Sequence, residues 1–141
     1  MLTDYEQELT TAGGQAVTAT AAGTKYYDEK GVADVGVGGA MVAGVARISQ
    51  DFNNCTSLDI AIQACDDASG TNAVTLVTKN VPIAQLTMSR GPFNVGVLPP
   101  GTRKRYLRAY FTVNGAAPGQ GKVRVWLADK GSLTENAVIG V

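Results

Sequence analysis

At 141 residues the chain has room for one core, since a chain of this length buries roughly two-thirds of the surface its unfolded form exposes. Charged residues make up only 17% against 45% hydrophobic ones, so part of the surface is expected to be apolar and covered by a partner. The absence of histidine removes the commonest general base and metal ligand, which excludes Ser-His-Asp and Cys-His mechanisms. Two cysteines alone cannot complete a four-ligand zinc site within one copy.

Net charge is zero, but it is unevenly distributed. Residues 1–67 hold ten acids against three bases, a net of −7, whereas residues 68–128 hold eight bases and no acid. Such asymmetry joins copies together, docks the basic part on an acidic partner, or is neutralised when the two parts fold against each other.

In chain order, residues 1–14 are assigned to a flexible amino-terminal arm. Its first dozen mix acids and apolar residues without strand alternation, which suits a short amphipathic helix or a tail. Residues 15–20 begin the strand-like segments. Residues 31–44 are glycine-rich and apolar and read as a long loop or extended arm. Strands are expected over 41–49 and over 57–64, where Leu58, Ile60 and Ile62 share one face. Cys55 and Cys65 bracket that second strand; its ten extended steps separate them by about 33 Å, against the ~5.5 Å a disulfide needs. Both are therefore expected as free thiols in a reducing cytosol.

Asp66-Asp67-Ala68-Ser69-Gly70-Thr71-Asn72 has turn chemistry. Strands follow over 74–78 and 93–98, then Leu98-Pro99-Pro100-Gly101 forms a stiff turn into the basic run Arg103, Lys104, Arg105. The strand over 106–113 puts Leu107, Ala109, Phe111 and Val113 inward and Tyr106, Arg108, Tyr110 and Thr112 outward. Residues 114–121 read as the turn to a last strand over 122–128, with Val123, Val125 and Leu127 inward and Lys122, Arg124 and Trp126 outward. Residues 130–141 read as a carboxy-terminal tail. The whole predicts a single all-β domain over 15–129, as a sandwich, jelly roll or barrel.

No motif carries catalytic, metal or cofactor chemistry. There is no phosphate-binding loop, and Gly36-Val37-Gly38-Gly39 lacks a helix signal behind it. Asp66 and Asp67 lack the spacing and terminal glutamate of a calcium loop. Nothing places two carboxylates together for glycoside hydrolysis. Bases beside Tyr106, Tyr110 and Trp126 suggest a stacking groove for single-stranded nucleic acid, but the zero net charge argues against it. No apolar run is long enough to span a bilayer as a helix, and neither membrane insertion nor signal-dependent secretion is expected. The expectation is a non-enzymatic protein without cofactor, metal or direct nucleic-acid contact.

Three stretches resemble the capsid cement, or decoration, proteins of tailed bacteriophages, of the type first seen in a Bordetella phage. The first runs from Gln15-Ala16-Val17-Thr18-Ala19-Thr20 through Ala22-Gly23-Thr24 to Ala33-Asp34-Val35-Gly36-Val37-Gly38. The second is Ser57-Leu58-Asp59-Ile60-Ala61-Ile62-Gln63 with Val81-Pro82-Ile83-Ala84. The third is Leu98-Pro99-Pro100-Gly101-Thr102-Arg103-Lys104-Arg105-Tyr106-Leu107-Arg108 with Gly121-Lys122-Val123. An extra basic residue before Tyr106 and a differently composed arm depart from the pattern. The resemblance implies a jelly-roll-like β-sandwich, made in the host cytoplasm and bound to the outer surface of the virion's capsid as a homo-oligomer. There it would bridge and stabilise major capsid proteins; a dimer is favoured and a trimer remains open. Contact with capsid or a second copy is expected at Tyr5, Arg103, Lys104, Arg105, Arg108 and Trp126. The alternative is a carbohydrate-binding β-sandwich module on a phage or bacterial surface.

Overall fold

The computed structural model describes residues 8–11, 13–28, 42–97 and 106–129. Among these residues there are eight strands: β1 (Gln15–Ala16), β2 (Ala21–Asp28), β3 (Val42–Gln50), β4 (Cys55–Cys65), β5 (Val74–Pro82), β6 (Phe93–Val97), β7 (Tyr106–Gly115) and β8 (Lys122–Asp129). They pair antiparallel into two four-stranded sheets, ordered β1-β8-β3-β6 and β2-β7-β4-β5. Of the consecutive strands only β4 and β5 pair with each other, and every other step along the chain crosses between sheets. That order is the jelly roll. Pairing thus makes the choice that periodicity left open.

The core lies between the sheets. β4 is central, paired to β5 on one side and β7 on the other, with Ile60 opposite Phe111 and Leu58 opposite Val113. Leu58, Ile60, Ile62, Leu107 and Phe111 pack with Ala46, Ile48, Val123, Val125 and Leu127 of the other sheet in one buried cluster. Each large side chain so buried contributes about 1.5–3 kcal/mol before entropy is counted. The cysteines stand at the two ends of β4 and form no disulfide. Burial pushes the Cys55 thiol up, which makes it a poor nucleophile at neutral pH.

Three expectations are corrected. The strand read over 15–20 is only the two-residue β1, and β2 follows after a bend. Between Ala22 and Tyr26 the β2–β7 register slips. There the Gln15 side chain donates to the Ala22 carbonyl (3.0 Å) and accepts from the Thr24 amide (2.8 Å), satisfying backbone groups that the bulge frees. The segment 114–121 is not a hairpin turn, because β7 and β8 belong to opposite sheets. It is a sheet-to-sheet crossing, held by Asn53 Oδ1, which accepts from the Gly119 and Gln120 amides at 2.7 and 3.2 Å.

The third correction concerns the arm. Glu8, Leu9 and Thr10 are buried within the body of the fold. Leu9 donates to the Val125 carbonyl at 2.8 Å, Thr10 Oγ1 accepts from the Val125 amide at 3.2 Å, and Glu8 bridges to Trp126. Residues 8–10 therefore continue the edge that β1 makes along β8, interrupted by a loop through Gly13 and Gly14, and Leu9 is part of the core. The loop or arm read over 31–44, apart from the residues that open β3, lies outside the described residues. So does the tail over 130–141.

Candidate functional site

Alternation along β7 fixes what the β2-β7-β4-β5 sheet shows on its outer face. With Leu107, Ala109 and Phe111 buried, Tyr106, Arg108, Tyr110 and Thr112 point outward and are half-buried. Beside them stand Tyr26 from β2 and Ser57, Asp59 and Gln63 from β4. These side chains hold one another. Tyr26 and Tyr106 meet edge to face with centroids 5.1 Å apart. Arg108 donates from Nε to Gln63 Oε1 at 2.9 Å and lies 5.3 Å from the Tyr110 ring centre, within cation–π range. Asn80 Nδ2 donates to Asp59 Oδ1 (2.6 Å) and Ser57 Oγ (3.1 Å), and Asn114 Nδ2 donates to the same hydroxyl at 3.0 Å.

Arg108 is also covered by the β4–β5 hairpin. The loop passes so close that a side chain at Gly70, whose φ is +91°, would collide with the guanidinium. Asp67 shapes this loop. Its carboxylate accepts from the Ser69 amide (3.0 Å) and hydroxyl (2.7 Å) and from the Thr71 amide (3.1 Å) and hydroxyl (2.6 Å). The Thr71 hydroxyl contributes most to holding the carboxyl well below the usual carboxylate range, followed by the Ser69 hydroxyl. A depressed folded value stabilises the loop fully above the ~3.9 of an unfolded aspartate, and the effect fades as pH falls towards the folded value. Asp67→Asn is therefore expected to speed amide exchange at Ser69 and Thr71 at pH 7, with the gap to wild type closing in acid. Equal protection at neutral pH would show that the hairpin holds its shape without the anion.

The opposite outer face, on the β1-β8-β3-β6 sheet, has a different character. Lys122, Arg124 and Trp126 alternate with buried Val123, Val125 and Leu127, and register sets Arg124 directly opposite Arg47 and Trp126 opposite Val45. Arg124 Nε donates to Glu8 Oε1 at 3.0 Å; the Glu8 side chain is fully buried and that of Arg124 is 24% exposed. The guanidinium also lies 5.5 Å from the Trp126 ring centre. Glu8 Oε2 and Trp126 Nε1 are buried with no hydrogen-bond partner among the described residues.

Of the residues expected to make contact, Tyr5, Arg103, Lys104 and Arg105 lie outside the described residues. Arg108 and Trp126 are on opposite faces, because β7 and β8 are in different sheets. They cannot form one patch, and Trp126 cannot join Tyr106 and Tyr110 in a stacking groove. Trp126 does point outward, as its alternation requires, but it is only 4% exposed. Sequence reasoning missed Tyr26, Glu8, Arg47 and Arg124, whose roles come from register and long-range pairing. Among the described residues no group of three or more Cys, Asp or Glu is placed to hold a metal ion.

The fold and its two faces define an eight-stranded jelly-roll β-sandwich that presents a tyrosine- and arginine-bearing sheet on one side and a cationic sheet on the other. The chain belongs to the Bbp16 family, which it matches over residues 11–127, the extent of almost the whole sandwich; the family's name points to a Bordetella phage protein. No curated protein matches the chain.

Proposed function

We propose that this protein is a capsid cement protein of a tailed bacteriophage: it binds the outer surface of the head as a homo-oligomer, most simply a dimer, and bridges neighbouring major capsid proteins. The observation that carries the reading is the Bbp16 match across residues 11–127, which covers the same strands that resemble cement proteins. The architecture supports it. A cement protein needs a rigid platform with complementary surfaces, because many weak contacts repeated over a lattice resist internal pressure collectively. Side chains on the tyrosine-bearing face are tied to one another, so they lose little freedom on binding, and Tyr and Arg are the residues that dominate interface energetics. The reading carries no catalytic step, cofactor or direct nucleic-acid contact.

Co-sedimentation with heads of the same phage that lack the protein, followed by heating decorated and bare heads side by side, tests this. Saturable binding with raised thermal resistance is expected, and no binding to bare heads refutes it. The same face supports a second reading: Tyr26, Tyr106 and Tyr110 beside Asp59, Asn80 and Gln63 combine ring faces with planar hydrogen-bonding groups, the materials of a carbohydrate platform. Binding on a glycan array, lost in Tyr26→Ala and Tyr110→Ala, would favour it.

A further inference from the structure

The face opposite the tyrosines carries a charge arrangement that the fold does not need. Arg47 and Arg124 stand directly across from each other on β3 and β8, and Lys122 is the next outward residue on β8. Like charges in directly opposed positions oppose folding, and by ladder geometry the three cations lie within roughly 5–8 Å of one another at Cβ. Among the described residues only Arg124 of the three has an ion pair, with Glu8. Arg47 and Lys122 are exposed, and neither has an ion pair or hydrogen bond among the described residues. Among the described residues neither is paired with a carboxylate; Asp51, beyond the end of β3, accepts from the Met88 amide at 2.8 Å.

We propose that Arg47, Lys122 and the outer edge of Arg124 form a docking face for an acidic, carboxylate-bearing protein surface, which on the cement reading above is the capsid lattice. Charge complementarity chooses this occupant over the two rivals. A second copy in a two-fold contact would bring the same patch onto itself, setting Arg47 and Lys122 against their own equivalents. Nucleic acid would call for more phosphate contacts and exposed rings for stacking, but the neighbouring ring, Trp126, is buried. A two-fold dimer therefore uses another surface, and this one faces away from that contact, towards the partner.

Charge reversal with Arg47→Glu, Lys122→Glu and the pair together tests the face. Ala117→Glu, exposed in the crossing between β7 and β8 and on neither sheet face, serves as the control, and the neutral pair Arg47→Gln with Lys122→Gln guards against a variant that fails to fold. Each is titrated onto bare heads at several salt concentrations. The double reversal is expected to weaken binding about ten-fold or more near physiological salt and to flatten the salt dependence, with the neutral pair intermediate and the control unchanged. If wild type binds heads and the double reversal binds equally well with the same salt slope, the face is overturned and the cement reading stands. If wild type does not bind heads, both fall. Tight binding of short duplex DNA by wild type, abolished by the same reversals, would overturn the choice of a protein partner.

Discussion

Gly121→Ala is expected to destabilise the protein by about 4 kcal/mol, from backbone strain of ~1–3 and overpacking of ~1–3 kcal/mol. Gly121 has φ +144°, where a side chain is disfavoured, and an added Cβ would drive into the Phe52 ring. Neither partner can easily give way. Phe52 is buried and its amide donates to the Leu86 carbonyl at 3.0 Å, while the Gly121 carbonyl accepts from the Val17 amide at 3.1 Å just past β1. The position is where the chain, arriving from one sheet, enters the other as β8. Gly91→Ala isolates the strain component: it also has positive φ (+74°), but nothing lies within 4 Å of its would-be Cβ, so the strain alone, about 2 kcal/mol, is expected. Denaturant midpoints of both variants check the pair, and equal losses would show that the Phe52 collision contributes nothing. Relative to a typical stability of ~5–15 kcal/mol, the expected loss at Gly121 is enough to leave the protein partly unfolded at elevated temperature.

What could be read from the chain follows from how strongly each segment separates its two faces. β4, β7 and β8 alternate because one side meets the core and the other does not, so the inward sets around Ile60, Phe111 and Val125 were recoverable. β2 was not. Ala21–Asp28 opens on Ala-Ala-Gly and is broken by a register slip between Ala22 and Tyr26, so it has too few large apolar side chains to separate its two faces. Residues 8–10 offered one apolar side chain between a carboxylate and a threonine, too little pattern to show that Leu9 fills the core.

Pairing was harder still. Alternation says that Arg108 and Trp126 point away from the core, but which sheet each strand enters is a long-range property that period-two signals do not contain. The same gap hides the cationic face: Arg47 looks like an isolated base in an acidic half of the chain until register places it beside Arg124. The charge asymmetry has a mixed resolution. Glu8 on Arg124 does neutralise first half against second, while Arg47 and Lys122 have no ion pair among the described residues.

Arg124→Met is expected to cost about 3 kcal/mol, whereas pairing it with Glu8→Leu should restore stability to within about 1 kcal/mol of wild type. The Glu8 carboxylate has been taken fully out of water for one hydrogen bond to Arg124, and its second oxygen has none among the described residues. Removing the guanidinium strands a buried anion, an event that typically costs ~3–5 kcal/mol; the lower end applies here because Arg124 keeps some contact with solvent. Removing both charges abolishes the desolvation cost together with the attraction, and Leu and Met would pack beside Trp126. Glu8→Gln alone should cost only about 1 kcal/mol, because an amide still accepts from Arg124 without carrying a charge into the interior. Urea unfolding of the single and double variants measures the coupling. Additive losses would mean that the pair does not hold residues 8–10 against β8, and that Leu9 and the Thr10 hydroxyl anchor the segment alone. A large coupling would make this ion pair the lock that completes the first sheet and sets Arg124 beside Arg47 on its outer face.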